Sequence, residues 1–275
     1  MLSIIIPASN EADWIGPCLE AVLASEGPVV GEIVVVANGC HDGTAAVAQG
    51  FAVRVEARGW RLVVLDLVEG GKLIALAAGD AAATGTRRVY LDADVVVSPG
   101  LMGQLDAVLQ GEAAVYASGR LVISEARSWA SRAYRRIYQQ VPFMAEGVPG
   151  AGVFAVNAAG RARWDQWPAI MSDDTFVRLS FAPKERRLVE ARYSWPIVEG
   201  FRNLVRVRRR QNAGVAEIRQ RFPELLKNDD TRRLGRGEMM RMAVGDPLGF
   251  VVYVGVSLAV KVTGFMGKTE WRRGR

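Results

Sequence analysis

Two carboxylates one residue apart, Asp92 and Asp94, close the run Val89-Tyr90-Leu91-Asp92-Ala93-Asp94. Acids held that near each other repel unless a cation joins them. Hard divalent ions such as Mg²⁺ or Mn²⁺ take oxygen ligands and bridge diphosphates, so this spacing points to metal binding. A solvated turn uses the same residue types, because Asp is common where strands end. A second acid pair, Asp173-Asp174, stands in Ser172-Asp173-Asp174-Thr175-Phe176. A carboxylate within reach of a hydroxyl can take its proton, and paired acids shift each other's protonation. Asp173 can equally cap a helix over residues 174–181. Two further polar stretches, Pro7-Ala8-Ser9-Asn10-Glu11 and Ala37-Asn38-Gly39-Cys40-His41-Asp42-Gly43-Thr44, are rich in turn formers, and Gly70-Gly71-Lys72 adds a cation. With His41 as the only histidine, sites needing two imidazoles are excluded. Cys18 and Cys40 cannot build a disulfide framework or a Cys-rich zinc site, which fits a reducing compartment.

The elements that position these residues are legible from hydrophobic period. Leu2 to Ile6, Ile33 to Val36, Leu62 to Leu67 and Arg88 to Leu91 are short apolar runs that read as buried strands. Glu11 to Ser25 places Trp14, Ile15, Leu19, Val22 and Leu23 on one helical face, and Gly71 to Ala83 is rich in Ala and Leu. Strands alternating with helices across short loops predict an α/β fold with a mainly parallel sheet. In such a sheet ligands bind beyond the carboxyl ends of the strands, where all the polar loops lie. After Gly100 the pattern loosens. Leu101 to Leu109 and Arg127 to Gln140 read as helices, Arg120 to Ile123 as a strand, and Val141 to Gly152 as a loop.

The chain has 275 residues, with 35 basic and 29 acidic side chains. Residues 1–201 hold 18 basic and 22 acidic groups, and residues 202–275 hold 17 basic and 7 acidic ones, a balance of −4 against +10. This division predicts a catalytic domain over 1–200 and a basic, partly apolar extension over 201–275. Such a tail suits phosphates, nucleic acid or an anionic membrane surface. Leu248 to Val260 carries no charge. Extended through Met266, with Lys261 snorkelling, it would reach about 28 Å as helix, so interfacial, core and spanning roles stay open. The N-terminus predicts no signal peptide, since no basic residue precedes the first apolar run, which stops at Pro7.

Taken in order, Ile-Pro-Ala-Ser-Asn-Glu, Ala-Asn-Gly-Cys-His-Asp-Gly-Thr, Gly-Lys-Leu-Ile-Ala-Leu and Leu-Asp-Ala-Asp resemble the family 2 inverting glycosyltransferases of GT-A fold, over roughly residues 1–200. The resemblance implies a nucleotide-sugar donor, a Mg²⁺ or Mn²⁺ cofactor held by Asp92 and Asp94, and a glycan or lipid-linked acceptor. It implies that Pro7, Asn10, Glu11, Asn38, Asp42, Lys72 and Asp92 line the nucleotide site. Gly150-Ala151-Gly152 is similar to the family's acceptor loop, and the Asp173-Asp174 segment to its acidic pair, which makes Asp174 the catalytic base. Two departures bear on substrate. Ala37 stands where members often carry a base-reading acid, so a uracil preference is not implied. Arg206-Val207-Arg208-Arg209-Arg210 keeps an Arg-x-x-Arg but has Arg210 in place of a Trp, against a processive polymerase. One of these arginines, taken as Arg209, is expected to meet the diphosphate. With the basic tail, this places the enzyme at the cytoplasmic face of the inner membrane, on an anionic surface and without a nucleic-acid partner.

Other readings compete. A nucleotidyltransferase would need a Gly-rich, Arg-bearing loop after the first strand, which residues 7–11 are not. An anion-binding protein whose tail meets nucleic acid would want interleaved aromatics, and only Phe201 and Phe222 lie near the arginines. A catalytically inactive nucleotide-sugar binder differs only in turnover. His41 reads as solvated, Trp164 and Trp167 as core residues more readily than sugar-stacking ones, and both cysteines as inert.

Overall fold

The structure, a computed structural model, describes residues 1–27 and 30–264. In chain order it runs β1 (Leu2–Ala8), α1 (Ala12–Leu23), β2 (Gly31–Asn38), α2 (Thr44–Gln49), α3 (Ala52–Ala57), β3 (Arg61–Leu67), α4 (Lys72–Ala82) and β4 (Arg87–Leu91). There follow β5 (Val96–Val97), α5 (Leu101–Val108), β6 (Tyr116–Ile123), α6 (Trp129–Tyr138), α7 (Pro142–Ala145), β7 (Val153–Val156) and α8 (Ala158–Arg161). The chain continues through α9 (Asp173–Leu179), β8 (Arg186–Trp195), α10 (Phe201–Arg221), α11 (Arg236–Gly245) and α12 (Pro247–Gly264). The alternation expected over the first hundred residues is present, each strand within two residues of its expected limits.

One eight-stranded sheet has the order β3-β2-β1-β4-β7-β6-β8-β5. β3, β2, β1 and β4 are parallel, and the pairs β4–β7, β6–β7 and β5–β8 are antiparallel. The parallel part was expected, whereas β5, β7 and β8 had no counterpart in the sequence reading. Every residue of β2 is buried, as a central strand covered on both faces requires. β1 follows β2 in register to Ala8, but pairs with β4 only to Ile5. The sheet therefore splits between β1 and β4 at its carboxyl edge, the switch point where a ligand crevice forms. Pro7 sits in the last turn of β1 beyond that split, where its missing N–H leaves no β4 carbonyl unpaired.

The chain packs as two compact units whose limits differ from a division at residue 200. Unit 1 comprises residues 1–121, 150–169 and 180–195, and unit 2 residues 122–149, 170–179 and 196–275. Unit 1 holds the sheet core, with Leu2, Ile4, Ile6, Ile33, Val35, Val89 and Leu91 packed against Ile15, Leu19 and Leu105. Unit 2 is helical. Val252, Val256 and Val260 of α12 are buried at four-residue spacing, and Tyr253 lies 5.5 Å from the Tyr134 ring of α6. No helix of the described residues is long and apolar enough to cross a membrane. The extension of the apolar run to residues 265 and 266 lies outside the described residues.

Candidate active site

The end of β4 positions the two acids of unit 1. β4 ends at Leu91, and on the turn that follows Asp92 and Asp94 are half-buried between the buried Leu91, Ala93 and Val95. The turn that carries them is clamped from behind. Asp92 N–H donates to the Gly152 carbonyl at 2.9 Å, and Val95 N–H to the Asp92 carbonyl at 3.1 Å. Beyond it Val96 and Val97 pair with Ser194 and Tyr193 of β8. Lys72, at the first position of α4, brings Nζ to 3.0 Å from Asp92 Oδ1.

Gly152 belongs to the Gly150-Ala151-Gly152 segment, and here glycine is obligatory. Gly150 and Gly152 have φ of 69° and 78°, and a Cβ on Gly152 would lie 2.7 Å from Trp195. Tyr193 donates its hydroxyl to the Ala151 carbonyl at 2.8 Å. Tyr193 and Trp195, which hold this loop beside Asp92, were missed by the sequence reading. The signal was present: Val189, Ala191, Tyr193 and Trp195 alternate with Glu190, Arg192 and Ser194, a strand pattern of period two.

The loops after β1 and β2 are tied to each other by side chain–backbone bonds. Asn10, at φ 51°, accepts the His41 N–H on Oδ1 at 2.7 Å. Asp42 accepts the Ala12 N–H at 3.1 Å on one oxygen and the Thr44 N–H at 3.0 Å on the other. The Thr44 hydroxyl in turn accepts the Glu11 N–H at 2.8 Å. Asn38 is buried, its Nδ2 donating to the Ala8 carbonyl at 2.8 Å and its Oδ1 accepting the Gly71 N–H at 2.9 Å. It thus bolts β1, β2 and the start of α4 together. Gly39 lies so near Gly70 that a Cβ would come within 2.7 Å of its Cα, and its φ is 53°. Pro7, Asn10, Glu11, Asn38, Asp42, Lys72, Asp92 and Asp94 are all gathered by the carboxyl edge of unit 1. Ala37 is fully buried and pairs with Asp66 on β3.

Asp174 and Arg209 belong to unit 2. At the start of α9, Asp173 is buried and Asp174 half-buried. Asp174 Oδ1 accepts from the Thr175 N–H at 2.7 Å and the Ser172 hydroxyl at 2.8 Å. α10 seats this segment: Glu217 accepts the Met171 N–H at 2.9 Å, and Gly214 leaves room for Ser172, which a Cβ would approach to 2.8 Å. Among the arginines of α10, Arg208 donates to the Tyr138 hydroxyl at 3.2 Å and covers its ring at 5.0 Å. Arg209 is half-buried, with a buried Nε that has no hydrogen-bond partner among the described residues.

Three ambiguous sets of residues resolve toward packing or solvent. Trp164 and Trp167 are buried, and Trp167 Nε1 donates to Asp80 Oδ2 at 2.8 Å. His41 is exposed. Cys18 is buried under the Asp92 carbonyl, and burial, joined by the charges of Asp92 and Glu11, pushes its thiol far up, so it stays protonated.

The family model for glycosyl transferase family 2 matches residues 3–166, more than half of the chain. The chain belongs to glycosyl transferase family 2. Comparison with curated proteins found no match. Among solved structures, this family 2 chain is similar to a mannosyltransferase, PcManGT, from Pyrobaculum calidifontis in complex with GDP-Man and Mn²⁺. The TM-score is 0.59 and the identity 18%, over 97% of this chain and 76% of that one. It is also similar to S. aureus TarS 1–349 in complex with UDP-GlcNAc, at a TM-score of 0.54 and 15% identity over 94% and 81% of the two chains. A third is glucosyl-3-phosphoglycerate synthase from Mycobacterium tuberculosis with Mn²⁺, UDP and glucosyl-3-phosphoglycerate, at 0.54 and 19% over 80% and 79%. At such identities the likeness carries the fold: an α/β glycosyltransferase fold of GT-A type.

Proposed function

We propose that the chain is a metal-dependent inverting glycosyltransferase. It would move a sugar from a nucleoside-diphosphate sugar to a hydroxyl of a glycan or lipid-linked acceptor. The observation that carries this is the pair Asp92 and Asp94, both half-buried on a clamped turn beside the β1–β4 split, with Lys72 at 3.0 Å from Asp92. The similar structures hold GDP-Man, UDP-GlcNAc or UDP, which supports a nucleotide-sugar donor without choosing its base.

The donor set fits a hard divalent cation. Among the described residues no group of three His, Cys, Asp or Glu side chains gathers to enclose an ion. Two carboxylates on an open turn suit Mg²⁺ or Mn²⁺, which is commonly held by one or two carboxylates and completed by substrate phosphates. A bound ion there supplies Lewis-acid stabilisation of the departing diphosphate. The residues of the chain do the rest. Asp42 and Asn10 fix the loops after β1 and β2, and Pro7, Glu11 and Asn38 shape the floor on which the nucleotide lies. The Lys72 ammonium balances the diphosphate charge, and Arg209, whose Nε has no hydrogen-bond partner among the described residues, would add a second cation. As the acceptor hydroxyl attacks the anomeric carbon, Asp174 accepts its proton and the bond to the diphosphate oxygen breaks with its electron pair. Attack opposite the leaving group inverts the anomeric centre. The setting we assign is the cytoplasmic face of the inner membrane, supported by the arginines of unit 2.

Thermal stabilisation by a panel of nucleoside diphosphates and nucleotide sugars, with and without Mn²⁺, tests the donor site. Ligand at 100 times its dissociation constant adds about 2.7 kcal/mol. A Mn²⁺-dependent shift for one nucleotide, lost in Asp94→Ala, is expected. No shift with any nucleotide overturns the reading, and a shift without turnover on any hydroxyl acceptor makes the chain a binder only.

A further inference from the structure

The exposed apolar residues of the described chain concentrate on the last two helices of unit 2. On α12 the buried stripe is Val252, Val256 and Val260, while Leu248, Val251, Leu258 and Val262 are 63%, 67%, 55% and 66% exposed. Spaced three, seven and four residues apart, these four share one face, whose centre lies roughly a third of a turn from the centre of the buried stripe. Gly255 falls on the same face, and Phe201 of α10 covers it: a Cβ there would lie 3.6 Å from the Phe201 ring, which is itself 41% exposed. On α11, which ends at Gly245 before the non-helical Asp246, Met240 and Val244 are 66% and 75% exposed. Isolated exposed apolar side chains are ordinary, but four on one face of α12, with more on the helix before it, mark an interaction surface.

The charges around this row identify its occupant. The acids of the two helices and their junction are already ion-paired, Glu238 with an Arg232 that also holds Glu146. Asp246 accepts from Arg136 Nε at 2.6 Å, and Glu238 from Arg232 Nη1 at 2.7 Å. Both carboxyls are held below their ordinary range by those arginines, Glu238 at about 2. Arg233, Arg236 and Arg241, by contrast, are exposed and have no ion-pair partner among the described residues, and Lys261 flanks the row on α12. Apolar side chains bordered by cations, with no unpaired acid on either helix, match a layer with an apolar interior and anionic headgroups. A second copy docked on the same face would set arginines against arginines. No helix of the described residues is long and apolar enough to cross a membrane, and one face of α12 is packed on protein.

We propose that the exposed faces of α11 and α12, with Phe201, form a docking face for an anionic lipid bilayer, on which α12 lies in the plane of the surface. This deepens the membrane setting given above and is independent of the transfer chemistry. The test is flotation of the full chain with vesicles of phosphatidylcholine alone and of phosphatidylcholine with phosphatidylglycerol. Wild type should float with the anionic vesicles, less as salt is raised. Val251→Asp with Leu258→Asp should lower the partition at least tenfold, and Arg236→Ala with Arg241→Ala roughly fivefold per arginine. Each variant is checked for nucleotide-dependent thermal stabilisation, which reads folding and the donor site. Variants that stabilise normally but float like wild type would overturn this face while leaving the membrane setting intact. Wild type that binds nucleotide yet ignores both vesicles would overturn the setting and spare the transferase reading. A wild-type dimer in solution that Val251→Asp dissociates would give the face to a second copy and overturn the proposal.

Discussion

Unit 1 contains two kinds of acidic centre, and their surroundings differ in a way that separates scaffold from chemistry. Asp80 on α4 is buried and fully engaged: Oδ1 accepts from Arg88 at 2.6 Å and the Tyr90 hydroxyl at 2.7 Å, Oδ2 from Arg161 at 2.9 Å and Trp167 at 2.8 Å. Glu32, at the amino end of β2, is fully buried and accepts from Ser3, from Thr84 and Gly85 N–H groups, and from Arg61. Asp92 and Asp94 sit at the opposite edge, half-buried, on a turn whose backbone is clamped. Saturated, buried carboxylates leave no lone pair for a ligand, while on the proposed reading the clamped, half-open pair is the one that would take a cation. Burial with four partners marks the former, and exposure on a rigid backbone marks the latter.

Substitution should split the two kinds cleanly. The largest effect is expected at the rim: Asp94→Ala should lower kcat/KM by about a thousandfold, near 4 kcal/mol of transition-state stabilisation, with little change in melting temperature. Asp174→Asn, on the reading of that residue as base, should cost a factor of about 10²–10⁴ in kcat. Steady-state kinetics beside calorimetry measures both. A large melting-temperature loss in Asp94→Ala with unchanged activity would abolish the contrast. Asp80→Ala should do the reverse, destabilising by about 3–5 kcal/mol because Arg88 and Arg161 lose their shared anion. Its folded fraction should keep the wild-type turnover.

Asn38 tests the contrast from between the two classes, since it is buried like Asp80 yet lies at the rim. Its amide nitrogen donates to the Ala8 and Val36 carbonyls, so Asn38→Asp would set a carboxylate oxygen against two carbonyl oxygens. A cost of about 1–3 kcal/mol is expected, with weaker nucleotide-dependent stabilisation because the Gly71 end of α4 shifts. Urea unfolding and thermal shift read the two effects separately. Unchanged stability would show that the loops after β1 and β2 are held by Asn10 and Asp42 instead.

The rim was legible because continuous β-branched runs and turn-forming residues announce buried strands and their ends, from β1 through β4. What stayed illegible depends on distant partners. Trp164 and Trp167 have the composition of a sugar-stacking pair, and only Asp80 and Arg161, with Arg161 4.8 Å over the Trp164 ring, commit them to the interior. The limits of the two units could not be read from charge, because unit 2 gathers residues 122–149 and 170–179 through contacts such as Gly214 against Ser172. β8 was the avoidable omission, its alternation visible but masked by Arg186, Arg187 and Arg192.

The smallest expected effect sharpens the comparison through pH. Burial by itself would raise the Glu32 carboxyl, but the hydrogen bonds from Ser3, Thr84 and Gly85 outweigh it and hold the group below its ordinary value of 4.5. A carboxyl depressed in the folded state stabilises the fold at all pH above its unfolded value, and that contribution disappears as pH falls through the folded one. Wild type should therefore lose stability progressively below about pH 4.5, where the unfolded chain takes up the proton first. Glu32→Gln retains an acceptor for the Gly85 N–H but has no charge to titrate, so its urea midpoint should be lower at pH 7 and flatter between pH 5 and about pH 3. Mn²⁺ with nucleotide should leave this difference between the two proteins unchanged, because Glu32 lies at the amino end of β2, away from the rim. If the acid limb of Glu32→Gln matched wild type, the saturated carboxylate would contribute nothing as an anion. The distinction between the two acidic centres would then rest on burial alone.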